Sequence, residues 1–223
     1  PPINLLTRLR PILSLNPTNQ ALLNAGKKLL QCLNEESIKS LENWISSNSK
    51  KALVVVIGCK RKKKELKAAL NQLRKKESGI DIIGVIGNSK QQDWLFKFDA
   101  RNGILELPCR DTYEGLPEKV IWTCLAVNLT NERGIFKVDD DTKEVNPKKL
   151  SELEKLLKTR RKHAAGSQIN VETPLQIDRG WHLGRCSGKV NKMPFEGLGP
   201  KLWMSGGAGY MVTGEGVNML GDF

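Results

Sequence analysis

Two short runs constrain this chain more than anything else in it. Leu53-Val54-Val55-Val56-Ile57 and Ile80 to Ile86 are dominated by β-branched and aliphatic residues, and each is closed by a glycine, Gly58 and Gly87. Runs of that length without polar alternation suit strands buried on both faces, as in a parallel sheet covered by helices on either side. Between them, residues 61 to 77 keep helical spacing, with Leu66, Ala69, Leu70 and Leu73 inward and lysines outward.

The alternation continues. Gly103 to Leu107 predicts a third, short strand. Pro117 and Glu118 mark the first turn of a helix, where a missing N–H costs nothing and a carboxylate suits the dipole. That helix is expected to bury Val120, Ile121, Cys124, Leu125 and Val127. A strand running into Asp139 and a helix from about Pro147 to Leu157 follow. The fold class is therefore α/β: a Rossmann-like, mixed but mostly parallel sheet flanked by helices, with its ligand beyond the carboxyl ends of the strands. Residues 1 to 50 read as a helical N-terminal appendage, with apolar faces at Leu5, Leu6, Leu9 and Ile12 and at Leu22 to Leu33. A third helix there has Asn34 as its expected cap and ends at a linker, Ser46 to Lys50. Residues 51 to 223 form the main domain. From Thr159 to Pro200 the periodicity dissolves into Gly- and Pro-containing loops.

The fourth strand ends in three adjacent carboxylates, Asp139-Asp140-Asp141. Strand alternation would send Asp139 and Asp141 to one face and Asp140 to the other. Like charges about 4 Å apart repel by ~1 kcal/mol in water and ~4 kcal/mol near a protein surface. The cluster therefore calls for a compensating cation. Oxygen-only ligation at a strand end suits Mg²⁺ or Mn²⁺ shared with a substrate diphosphate. The plainer reading is an acidic turn neutralised by Lys137, Lys143 and solvent.

A net charge of +12 favours anionic partners such as nucleotides, nucleic acid or acidic lipid without choosing among them. The densest basic run, Lys60 to Lys64, lies where a strand gives way to a helix; a solvated helix start or a phosphate-facing role fits it. Only 5% of residues are aromatic and none interleaves that run, so no nucleic-acid partner is expected. No apolar run approaches the ~20 residues that cross a bilayer. The five scattered cysteines have no CxxC pair, which points weakly to a reducing compartment. Asn128-Leu129-Thr130 is a glycosylation sequon.

Several motifs fail on spacing. An EF-hand starting at Asp139 meets Lys143 and Glu144 where a ligand and glycine are needed. Counting GxGxxG from Gly207 puts Val212 at the third glycine, and no GxxxxGK[ST] loop occurs. His163 and His182 lie in no Ser-His or Cys-His arrangement; surface roles suit both, although His182 beside Trp181 could line a site.

Four segments, in order, carry a family resemblance. Ile83-Gly84-Val85-Ile86-Gly87 is the first. The second runs from Phe98 through Leu107 to the block Asp111-Thr112-Tyr113-Glu114-Gly115-Leu116-Pro117-Glu118-Lys119. Lys137-Val138-Asp139-Asp140-Asp141 and Ser205-Gly206-Gly207-Ala208-Gly209-Tyr210 complete the series. Together they resemble the β-1,3-galactosyltransferase and fringe superfamily over about residues 53 to 145 and 200 to 215. The resemblance implies a GT-A fold and a metal-dependent inverting transfer of a hexose or N-acetylhexosamine from a UDP-sugar to an acceptor hydroxyl on a glycan, glycoprotein or glycolipid. Carried over by position, Asp139 and Asp140 lie near the ribose and sugar of the donor. Asp141 binds Mn²⁺ (or Mg²⁺), with Asp139 the second candidate ligand. Ser205, Gly206 and Gly207 allow close approach of the donor, and Gly58 with the basic residues after it flanks the uracil or diphosphate. Gly115 and Pro117 depart from the family's usual Asn and Thr. The family's acidic base segment is expected after the glycine loop, where Asp222 stands somewhat early. Relatives act in the Golgi lumen behind an anchor, so this chain is expected there if eukaryotic and processed, and in the cytoplasm if bacterial. A noncatalytic nucleotide- or glycan-binding module on the same fold is the alternative, and a basic nucleic-acid-binding protein the third.

Overall fold

The computed structural model describes residues 20–45, 52–77, 79–91, 95–130, 133–170, 202–204 and 207–221. In chain order these form α1 (Gln20–Leu33), α2 (Glu35–Trp44), β1 (Leu53–Ile57), a 3₁₀ turn (Lys60–Lys62), α3 (Lys63–Lys76) and β2 (Ile82–Gly87). Then come β3 (Lys97–Asp99), β4 (Ile104–Leu107), α4 (Leu116–Thr130), β5 (Ile135–Asp139) and α5 (Pro147–Thr159). The last are β6 (Ala164–Gly166), β7 (Gln168–Asn170), β8 (Leu202–Met204), β9 (Tyr210–Val212) and α6 (Gly214–Gly221).

Seven strands form one sheet in the order β3-β4-β2-β1-β5-β9-β6, and β7 pairs with β8 separately. The central strands β4, β2, β1 and β5 are parallel; β3 and β9 run against them, and the edge strand β6 pairs antiparallel with β9 and so points the same way as the core. This is an α/β architecture with a mixed sheet and a parallel core, consistent with a Rossmann-like fold. Ile57 is level with both Val85 and Asp139, so β1, β2 and β5 finish along one rim.

The two-sided burial expected of β1 is complete: all five of its residues are buried. Leu53, Val55 and Ile57 meet Ile83, Leu105, Cys124 and Leu125 on one side, and Leu30, Ile38, Leu41 and Ile45 of the N-terminal helices join that same core. Val54 and Val56 face Leu66, Leu70 and Leu73 of α3 and Leu150 and Leu157 of α5 on the other. Each fully buried aliphatic side chain of this kind stabilises by about 1.5–3 kcal/mol. Gly84 lets α3 come close to β2, since a Cβ there would meet Leu70 Cδ1 at 2.8 Å.

Some expectations are corrected. The helix after β1 opens as a 3₁₀ turn and becomes α-helical at Lys63. Ile121 is 44% exposed, because the buried face of α4 is Thr123 to Leu129 with Lys119. Asn34 stands at the N-cap of α2 but makes no side-chain cap. It donates instead to the Leu30 carbonyl (3.0 Å) and accepts from the Phe96 N–H (2.8 Å), tying the helices to the β3 edge. The aperiodic stretch after Thr159 contains β6 and β7, too short to leave a pattern. The sequon residue Asn128 is 5% exposed inside α4 and accepts from Lys27 Nζ at 3.0 Å, so it is no surface glycan acceptor in this fold. The apolar positions at Leu5 to Ile12, the linker at Ser46 to Lys50 and His182 lie outside the described residues.

Candidate functional site at the carboxyl rim of the sheet

β5 stops at Asp139 because the chain turns there: the Thr142 N–H donates to the Asp139 carbonyl at 3.1 Å. Strand alternation therefore does not extend through the three aspartates, and Asp140 and Asp141 are turn residues with separate surroundings.

Asp139 shares a strand face with Lys137, two residues earlier. Lys137 is 1% exposed, and its ammonium donates to Asp139 Oδ1 while lying 5.9 Å from the centre of the Tyr210 ring. Tyr210 is opposite Lys137 in the β5–β9 ladder. Burial pushes its phenol up to about 12, and Cys124 and Asp139 act in the same direction. Half of the plainer reading therefore holds, since Lys137 neutralises one of the three carboxylates. Lys143 is exposed.

Asp140 is half-buried and its carboxyl is held above the ordinary carboxylate value, first by burial. Lys62 opposes that shift, and the charges of Asp141 and Asp139 add to it. Asp141 is exposed. Beyond the Lys137 pair, the turn thus retains two carboxylates, one of them poorly solvated. Among the described residues no group of three or more His, Cys, Asp or Glu side chains is placed to hold a metal ion. A cation here would take two aspartates at most and complete its shell with phosphate and water, as Mg²⁺ commonly does.

Gly207 comes to the same point from the far end of the chain. A Cβ on it would lie 3.7 Å from Asp139 Oδ2, the oxygen that Lys137 does not hold in that contact. Gly209 is locked by a left-handed φ of +82°, and a Cβ there would strike the Lys137 carbonyl at 2.9 Å. The end of the glycine loop is thereby fixed against β5. On the opposite face of β5, a cleft of about 230 Å³ is lined by Phe136, Val138, Val145, Leu150, Leu153 and Ala208.

A second polar cluster fixes the neighbouring strand ends. Asp111 Oδ1 accepts from the Gly87 N–H (2.8 Å) and from Lys119 Nζ (2.8 Å), and Oδ2 accepts from the Lys60 N–H at 2.5 Å. Lys119 is buried in α4 and also donates to the Gly58 carbonyl at 2.9 Å. One carboxylate and one ammonium thus tie the chain after β1, the end of β2 and the start of α4 together. Gly87 is required at that junction, because a Cβ would meet the Cys109 and Arg110 carbonyls at 2.9 Å.

Of the residues singled out from sequence, Asp139, Asp140, Asp141, Gly58 and Gly207 share the rim. Ser205, Gly206 and Asp222 lie outside the described residues. His163 is exposed, 3.6 Å from Glu215. One structural role was not read from sequence: Asp111 with Lys119 as the clip across two strand ends. It has no spacing rule, because its partners meet only through the fold. The sequence marks Lys137 as a neutralising cation, but not as a buried one paired with Asp139.

The fold and rim define a Rossmann-like α/β protein with an acidic turn at the carboxyl end of a central strand. No family model matches the chain, and the search of curated proteins found no match.

Proposed function

We propose that this chain is a GT-A-type, metal-dependent inverting glycosyltransferase that moves a hexose or N-acetylhexosamine from a UDP-sugar to an acceptor hydroxyl. The observation that carries the reading is the meeting of Gly207 with Asp139 beside the Asp140–Asp141 turn. Two sequence segments that resemble the family pattern, more than sixty residues apart, approach so closely at a strand end that a Cβ on Gly207 would touch Asp139 Oδ2 at 3.7 Å.

The chain's own residues divide the work as follows. Lys137 holds one oxygen of Asp139, leaving Oδ2 to accept a hydroxyl of the donor's ribose or sugar. Asp141, with Asp140 as neighbour, is the better candidate for Mn²⁺ or Mg²⁺ than Asp139, whose charge Lys137 already offsets. The cation, when bound with the diphosphate, would stabilise negative charge on the departing UDP. Gly58 and the exposed Lys60 to Lys62 turn adjoin the same rim, where positive charge suits a diphosphate. The acceptor hydroxyl would attack the anomeric carbon as the bond to UDP breaks, losing its proton to a base. Asp222 is the sequence-based candidate for that base.

The test is isothermal titration of the protein with UDP, with and without Mn²⁺, followed by an assay for UDP release from UDP-galactose and UDP-N-acetylglucosamine. Expected are Mn²⁺-dependent UDP binding, its loss by tenfold or more in Asp141→Ala (about 1.4 kcal/mol) and release of UDP in the wild type. Wild-type binding without any release of UDP would favour the noncatalytic module. Absence of Mn²⁺-dependent binding, or equal binding in Asp141→Ala, would remove the donor site altogether.

A further inference from the structure

The net charge of this molecule is concentrated on one side of it. α3 and α5 cover the same face of the sheet. Residues 63–76 of α3 and 147–162 of α5 with the turn after it carry thirteen lysines and arginines against three glutamates, a net of +10 where the whole chain has +12. The helices on the other face, α1, α2, α4 and α6, carry four lysines against five glutamates. Arg74 is the inward exception on the basic side, its guanidinium bonded to the carbonyls of Ile82, Asn102 and Gly103. Most of the remainder are exposed, Lys64, Lys75, Lys149 and Lys155 among them. The last residue of α3 reaches the loop that leads into α5, with Lys76 Nζ donating to the Lys143 carbonyl at 3.4 Å.

We propose that this α3–α5 face is a docking surface for an anionic lipid bilayer. Three observations select a bilayer among polyanions. The charge is spread over two helices side by side on the sheet, an area suited to a plane. Neither helix contains an aromatic residue, so a base-stacking platform is missing from both. On α5, Leu156 is 46% exposed, with the exposed Lys149 two turns back along the same helix face, and this apolar side chain can enter the headgroup–acyl boundary. Lysines near an anionic membrane surface each strengthen attachment by about fivefold, and that gain fades beyond a Debye length of about 8 Å at physiological salt.

This surface stands apart from the proposed transferase reaction and can fail or hold without it. The experiment is co-sedimentation of the full chain with phosphatidylcholine vesicles, with and without about one quarter phosphatidylserine. Expected is binding only to the phosphatidylserine vesicles, weakened by added salt. The triple variant Lys64→Gln, Lys75→Gln, Lys155→Gln should lose about a hundredfold. A matched triple, Lys28→Gln, Lys39→Gln, Lys97→Gln, removes the same charge from exposed positions outside the basic face and should bind like the wild type. Leu156→Ser should lose several-fold more than a neighbouring polar substitution such as Thr159→Ser. Equal binding to neutral vesicles, no binding to either, or equal loss in both triples would overturn the proposal. Tighter retention on duplex DNA or single-stranded RNA than on the anionic vesicles at the same salt would do so too, by assigning the face to nucleic acid.

Discussion

Removing the two ends of the Asp111–Lys119 pair should have unequal effects, and the inequality can be worked out from their surroundings. The Lys119 side chain is 4% exposed and that of Asp111 18%. Breaking a buried ion pair by deleting one partner typically costs 3–5 kcal/mol, because the survivor is left charged and poorly solvated. In Lys119→Met the surviving carboxylate keeps the N–H groups of Gly87 and Lys60 and has some access to water. Its loss should sit at the low end, about 3 kcal/mol. In Asp111→Ala the ammonium stays buried with the Gly58 carbonyl, 2.9 Å away, as its acceptor, and two backbone donors lose their acceptor together. That loss should reach about 5 kcal/mol. With a urea slope of about 2.5 kcal/mol per molar, the midpoints fall by about 1 M and about 2 M. The double variant should cost about 2 kcal/mol less than the sum of the singles. Equal midpoints for the two single variants, or strict additivity in the double, would refute the idea that this pair clips the strand ends as one unit.

Two further outcomes concern the rim itself. Gly209→Ala should lose about 2 kcal/mol in the same urea titration, since it adds a Cβ at a φ of +82° and 2.9 Å from the Lys137 carbonyl. Gly207→Ala meets Asp139 at an ordinary 3.7 Å and should stay within about 0.5 kcal/mol. Asp140→Asn should raise thermal stability at neutral pH. The folded state holds this carboxyl above its ordinary 3.8, so ionising it opposes folding; the penalty is full above the folded value and absent once pH falls below 3.8. The gain should vanish on acidification, and a gain that persists in acid would refute an electrostatic origin.

What could be read from the sequence follows the range of the interactions involved. β5 was legible because a short, mostly apolar run ends abruptly in carboxylates, and β1 and β2 because strands buried on both faces must be apolar at every position, a local requirement. The start of α4 at Pro117 was legible for the same reason. β3 and β6 escaped because three residues hold no period. Ile121 was misplaced because α4 is apolar nearly all round, so its pattern does not say which face is covered. At the rim, three adjacent carboxylates announced themselves. Their division of labour did not, because it depends on where the backbone turns, on Lys137 being buried beside Asp139 and on Lys62 arriving from another element. Asn34 misled for a related reason: a capping residue type at a capping position found a better acceptor and donor in tertiary structure.

The far rim of the sheet is closed in a different way. Arg74, from α3, lies 4.9 Å from the centre of the Trp44 ring at the end of α2, and Trp44 in turn meets Phe98 of β3 edge-on at 5.9 Å. Gly103, with its φ of +62°, leaves the space both side chains fill, since a Cβ there would lie 2.3 Å from Arg74 Nη2 and 2.4 Å from Trp44 Cζ2. Helical layers on opposite sides of the sheet are thus buttoned together around its edge. In hydrogen exchange, α2 and α3 should open as one cooperative unit with the β3–β4 hairpin.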